Sequence, residues 1–202
     1  MKTQGERVIE FVSSWCTLGD SYLGQPFEVL PFQREIIEGI YRTDEDGRRI
    51  VRTADSAPLV VAAAGDRQQA RIVHDQIKRM ILSSPELASV CEVQRNVIRC
   101  SRNQGEARVV SADAGLQQGL NPSLVICDEL HVLKNSDLWD ALTLGSATRN
   151  QPLTIGISTA GYNQESLLGR LYRYGRKVES GEIDDPSFYF YWAGPKDGEE
   201  FD

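Results

Sequence analysis

From residue 58 onward, short β-branched and apolar runs take turns with stretches of helical periodicity, and that alternation leaves few folds open. "PLVVAAA" reads as a strand. Residues 66–82 follow it, with Ala70, Val73, Ile77 and Ile81 at helical spacing and Asp66 placed to cap the helix start. "CEVQRNVIRC" alternates about Arg95 and Asn96 as a hairpin does. "ARVVSAD", "SLVICD" and "PLTIGIST" read as strands, residues 136–149 and 163–180 as helices, and "SFYFYWAG" as a last strand. Strand and helix in turn imply an α/β domain around a largely parallel sheet. Ahead of it, Val8, Ile9, Val12 and Trp15 place an amphipathic helix near residues 4–18. "FQREIIEGIY" reads as a short helix, and "RRIVRT" as one more strand.

Charge and cysteines narrow the function. The net charge of −7 argues against a general nucleic-acid coat, though a local basic face on an acidic body stays open. No apolar run is long enough to span a membrane, and the N-terminus carries charges where a leader peptide would be apolar, so the expectation is a cytoplasmic protein. The four cysteines form no CxxC pair and only two histidines accompany them, which speaks against a zinc site. Cys127, inside an apolar run, reads as a small core residue.

"SLVICDELH" pushes two adjacent carboxylates, Asp128 and Glu129, out of the end of an apolar strand. Ligands of parallel α/β sheets bind beyond the carboxyl ends of the strands. One carboxylate there can hold Mg²⁺ and the next can orient and deprotonate a water. The ordinary alternative is a strand whose first turn residues happen to be acidic. Gln33, in "LPFQRE", offers a donor and an acceptor in one plane, which suits an adenine edge and equally suits a solvent-facing helix residue. "ISTAG" ends a strand in small and hydroxyl residues, fit for sensing a γ-phosphate or for an ordinary turn.

In this order, "LPFQREI", "VVAAAGDRQQARIV", "SADAGLQQGLNPSLVICDELH", "LWDAL" and "ISTAGYNQES" closely resemble the large terminase subunit of tailed bacteriophages, over roughly residues 8–192. The resemblance implies a three-layer P-loop NTPase-like domain with a mostly parallel central sheet. It also implies a motor that uses ATP and Mg²⁺ to pump viral DNA into a procapsid. Carried over by position, Gln33 contacts adenine, Asp128 holds Mg²⁺, and Glu129 activates water. Ser158, Thr159, Ala160 and Gly161 couple hydrolysis to movement. His131 is left as a structural neighbour. The implied partners are double-stranded viral DNA, a portal protein, a small terminase subunit and further copies of the chain, in the host bacterial cytoplasm.

Two departures stand against that pattern. A P-loop needs GxxxxGK followed by Ser or Thr, whose backbone and Lys cradle the phosphates. This sequence has no Gly-Lys dipeptide, and only Asp55 and Ser56 separate "RRIVRTA" from "APLVVAAA". Parallel neighbours need a crossover of roughly a dozen residues or more, and a βαβ unit takes about 30. Either the first strand runs antiparallel, or a loop and helix are lost near residues 54–57; the matching flanks favour loss. The expected division is then an N-terminal helix and lead-in at 1–31, an ATPase-like domain lacking its P-loop helix at 32–194, and an acidic tail at 195–202 leading toward the family's nuclease domain.

Arg170, Arg173 and Lys177 fall at i, i+3 and i+7. They are either a ridge facing DNA or a neighbouring subunit, or the solvated face of an amphipathic helix. The expectation is the ATPase portion of a packaging motor, inactive as written. The alternatives are a dead remnant that only binds, as a decoy subunit or prophage relic, and a helicase-like ATPase suggested by "DELH".

Overall fold

The computed structural model describes residues 2–16, 25–42, 57–112, 119–149 and 151–194. The expected strand "RRIVRT", all of the short junction except Ala57, and the acidic tail lie outside them.

Helix α1 spans Gln4–Trp15 and α2 spans Pro31–Ile40, and the two pack together. Strand β1 (Leu59–Ala64) leads through Asp66 into α3 (Arg67–Leu82). The Asp66 carboxylate accepts from the backbone N–H groups of Gln68 at 2.7 Å and Gln69 at 3.0 Å, two of the donors a helix start leaves unpaired. After the single turn α4 (Pro85–Ala88) come the hairpin β2 (Cys91–Val93) and β3 (Val97–Cys100), then β4 (Gly105–Ser111). Strand β5 (Leu124–Asp128) ends in a 3-10 turn at Leu130–Val132. Helix α5 (Asp137–Gly145), strand β6 (Leu153–Ile157) and helix α6 (Leu167–Glu179) follow.

These strands form one sheet in the order β2-β3-β4-β1-β5-β6. The four strands β4, β1, β5 and β6 run parallel, and the hairpin adds an antiparallel edge. Period-two alternation splits the apolar residues between the faces. Val61, Ala63, Val125 and Cys127 pack with Leu138 and Leu142 of α5 and Leu167 of α6. The alternate residues Ala62 and Ala64 belong to the opposite face, where α3 lies across β1 and β4. Helix, sheet and helix make the three expected layers.

One expected element does not join the sheet. Residues 187–194, read from sequence as a strand, form no ladder with any described strand, and their rings lie against α6. Their alternation is genuine. Phe188 meets Tyr174 edge-on at 4.9 Å, and Phe190 and Trp192 meet Tyr172 at 5.9 and 5.0 Å. Tyr189 points the other way, its ring stacked under the Arg42 guanidinium at 5.3 Å. Arg42 also donates to the carbonyls of Pro186 and Phe188. Ring-on-ring packing against a helix takes the place of ladder hydrogen bonds, and the segment straps α6 to α2.

Candidate functional site

The site is built by register. Asp128 pairs with Ile157, so Glu129 and Ser158 are the residues that leave β5 and β6 side by side at the carboxyl edge of the sheet. Asp128 accepts the Glu129 N–H on Oδ1 at 3.1 Å, and its other oxygen has no partner among the described residues. Glu129 takes φ 54° and ψ 54°, a left-handed conformation that costs an L-residue roughly 1–2 kcal/mol. The cost is held in place on its far side. Leu130, 3% exposed, is anchored beside Gly156, where a Cβ would come within 2.6 Å of Leu130 Cδ1. Val132 N–H closes the turn onto the Glu129 carbonyl at 3.0 Å.

That turn aims Glu129 at His131. Glu129 Oε2 lies 3.0 Å from His131 Nδ1, and Ser158 Oγ lies 3.1 Å from the same nitrogen. One ring nitrogen carries one proton, so it serves one of the two at a time. The His131 backbone N–H donates to Ser158 Oγ at 3.2 Å, and Ser158 donates on to the Thr159 carbonyl at 2.9 Å. Gly161 closes the segment. A Cβ there would lie 3.3 Å from His131 Cβ and 3.2 Å from Leu168 of α6. His131 therefore lies against Glu129 and against both ends of the 158–161 segment. The sequence reading leaves it a neighbour; its signal was position, one residue beyond the second carboxylate and across a tight turn.

Beneath the site, Cys127 is fully buried, and burial and the Asp128 charge push its thiol up to about 12, so it stays an inert core thiol. Gln33 sits at the start of α2, where its amide oxygen accepts the Leu30 N–H at 2.9 Å. That bond is a local cap of α2 and uses one of the two lone pairs of the amide oxygen. Arg170, Arg173 and Lys177 lie on α6 with local partners. Arg170 donates to the Glu165 carbonyl at 2.8 Å, Arg173 reaches Glu165 Oε1 at 3.8 Å, and Lys177 meets Glu182 at 2.6 Å. Arg170 and His131 border one open cavity of about 540 Å³ with Lys134 and Ser166. Among the described residues no group of three or more His, Cys, Asp or Glu gathers to hold a metal, and no helix is long and apolar enough to cross a membrane.

A family model describing the ATPase domain of the terminase large subunit matches residues 50–177. The terminase large subunit of Enterobacteria phage HK97 is 29% identical over 195 residues, an alignment that takes in 82% of this chain and 38% of that protein. The crystal structure of the HK97 large terminase superposes with a TM-score of 0.79 over 98% of this chain and 46% of that one, at 24% identity, a likeness of fold. The chain spans less than half the length of these relatives.

Proposed function

Because the chain belongs to the terminase large subunit family, matched in its ATPase domain, we propose that it is the motor portion of a DNA-packaging terminase, with Asp128 and Glu129 as its hydrolytic pair. The observation that carries this reading is the Asp128–Ile157 register, which sets the two carboxylates beside the 158–161 segment. Glu129 Oε2 faces His131, which leaves Oε1 to orient a water and take its proton. The open oxygen of Asp128 suits Mg²⁺, which binds through one or two carboxylates and completes its shell with phosphate oxygens and water. The ion's contribution, when it is bound with nucleotide, is to neutralise charge on the β- and γ-phosphates. Ser158, joined to His131 by two contacts, transmits a change at Glu129 to Thr159, Ala160 and Gly161. Gln33 contributes to holding adenine, and Arg170, Arg173 and Lys177 meet DNA or a neighbouring copy. The portal, a small terminase subunit and the host cytoplasm follow from the family.

The chain as written is defective in ATP turnover. It contains no Gly-Lys dipeptide, and phosphoryl transfer depends almost wholly on positioned charge. Both edges of β1 are taken by parallel neighbours, so a five-residue connection has no free edge of β1 on which to lay an antiparallel strand. The HK97 alignment is longer than the part of this chain it covers, so that relative carries residues that are absent here. These observations favour a lost loop and helix near residues 54–57. The same absence supports a second reading, a remnant that only binds.

The experiment is Mg-ATP turnover and ATP binding at micromolar protein, with Glu129→Gln beside the parent chain. Binding without turnover supports the defective motor. The absence of both ATP binding and turnover supports the remnant, whose binding would be to partner proteins alone. Turnover that disappears in Glu129→Gln overturns the assignment of a defect.

A further inference from the structure

Two cysteines that the sequence separates by eight residues face each other across the β2–β3 hairpin: the ladder pairs Cys91 with Cys100. Its hydrogen bonds say what kind of pair this is. The Gln94 N–H donates to the Val97 carbonyl at 2.9 Å, and the Ser101 N–H to the Val90 carbonyl at 2.9 Å. Hydrogen-bonded and non-hydrogen-bonded pairs alternate along an antiparallel ladder, so Cys91 and Cys100 form a non-hydrogen-bonded pair, the kind with Cα atoms about 4.5 Å apart. That spacing lies inside the range of about 4.4–6.8 Å that a disulfide bridges. Paired residues point to the same face, so both sulfurs lie on one side of the hairpin. Both thiols are free and half-buried, and both border an open cavity of about 580 Å³ with Ser89, Glu92 and Ser101.

We propose that Cys91 and Cys100 form a dithiol modification site that closes to an intramolecular disulfide by exchange with a small-molecule disulfide. One thiolate attacks a sulfur of R–S–S–R, forms a mixed disulfide and releases one RS⁻. The second thiolate then attacks the protein sulfur of that mixed disulfide and releases the other RS⁻. Two protein thiols are oxidised by two electrons and one disulfide is reduced to two thiols. The opposed geometry makes the second step intramolecular, so the mixed disulfide does not accumulate. Burial and the Cys100 thiol beside it push Cys91 up, which slows its first attack at neutral pH without changing the end point. The other two cysteines do not compete: Cys16 and Cys127 are buried. The hairpin lies at the opposite edge of the sheet from β5 and β6, so the site stands independently of the hydrolytic reading.

The test treats the native chain with glutathione disulfide, alkylates the remaining thiols, and maps tryptic peptides without reduction. Trypsin cuts after Arg95, Arg99 and Arg102, so closure joins residues 80–95 to residues 100–102 and removes two free thiols per chain. Cys91→Ser and Cys100→Ser should each stop at a mixed disulfide on the remaining cysteine. Phenylarsine oxide, which needs two adjacent thiols, gives a check on the unsubstituted chain and should be retained by it and lost from both variants. In the parent chain, persistent glutathione adducts on Cys91 or Cys100 without a crosslink overturn the proposal. So does a crosslink to Cys16 or Cys127, an unchanged thiol count, or failure of the parent chain to retain the arsenical.

Discussion

His74 is 1% exposed on the buried side of α3, and neither ring nitrogen has a hydrogen-bond partner among the described residues. Asp75 Oδ1 approaches Nδ1 only to 3.7 Å, too far for a hydrogen bond. Leaving such a group buried and unpaired costs about 1–3 kcal/mol. His74→Leu keeps a side chain of similar bulk, removes both polar atoms, and adds a better helix former inside α3. The expected outcome at pH 8 is a gain of about 2 kcal/mol, or several degrees in Tm for a chain of this size. The gain should grow on acidification. Burial, reinforced by Lys78 and Arg71 and opposed by Asp75, holds the folded pKa of His74 below its ordinary value. As pH falls through about 6.5 the unfolded chain binds a proton that the native state refuses, so the parent chain loses stability by up to about 1.4 kcal/mol per pH unit. The loss levels off once pH passes below the lowered folded pKa. His74→Leu lacks this contribution, and comparison of the two chains cancels the titration of every other group. Urea denaturation at pH 8.0, 6.5 and 5.5 reads the difference directly. A variant less stable than its parent, with a gap that does not widen toward pH 5.5, would refute the reasoning and mean that the ring has a partner.

Three further outcomes follow from the packing. Asp66→Ala removes the acceptor for two N–H groups at the start of α3 and should cost about 1 kcal/mol in denaturant melts, with Asp66→Ser recovering most of it. At Gly175 a Cβ would overlap the Phe190 ring, so Gly175→Ala should lift the aromatic strap from α6, cost about 1–3 kcal/mol, and change Trp192 fluorescence. Ser158→Ala removes the hydroxyl that accepts from the His131 N–H; the expected loss is about 1 kcal/mol, with a shift of the His131 ring signals in NMR, and unchanged ring signals would place His131 elsewhere.

Local pattern determined a good deal of this protein. The alternation of apolar runs with helical spacing, the carboxylate ahead of α3, the turn at Arg95–Asn96 and the position of Asp128 and Glu129 at a strand end are all properties of neighbouring residues. Backbone sterics and hydrogen-bonding needs act over a few residues, so a sequence displays them. Partner choice is different, because it depends on which distant surfaces meet. Residues 188–193 have the alternation of a strand, yet their rings found α6 rather than a sheet edge. Helical spacing from Ala70 and Ile77 puts His74 on the inward stripe of α3, but only the approach of α3 to β1 and β4 buries the ring completely and leaves it without a hydrogen-bond partner among the described residues. His131 sits beside a carboxylate pair in the sequence, but only the β5–β6 register sets Ser158 against the same nitrogen. Cys91 and Cys100 likewise become a pair only because the ladder register makes them opposite, and a slip of one residue would turn them to different faces.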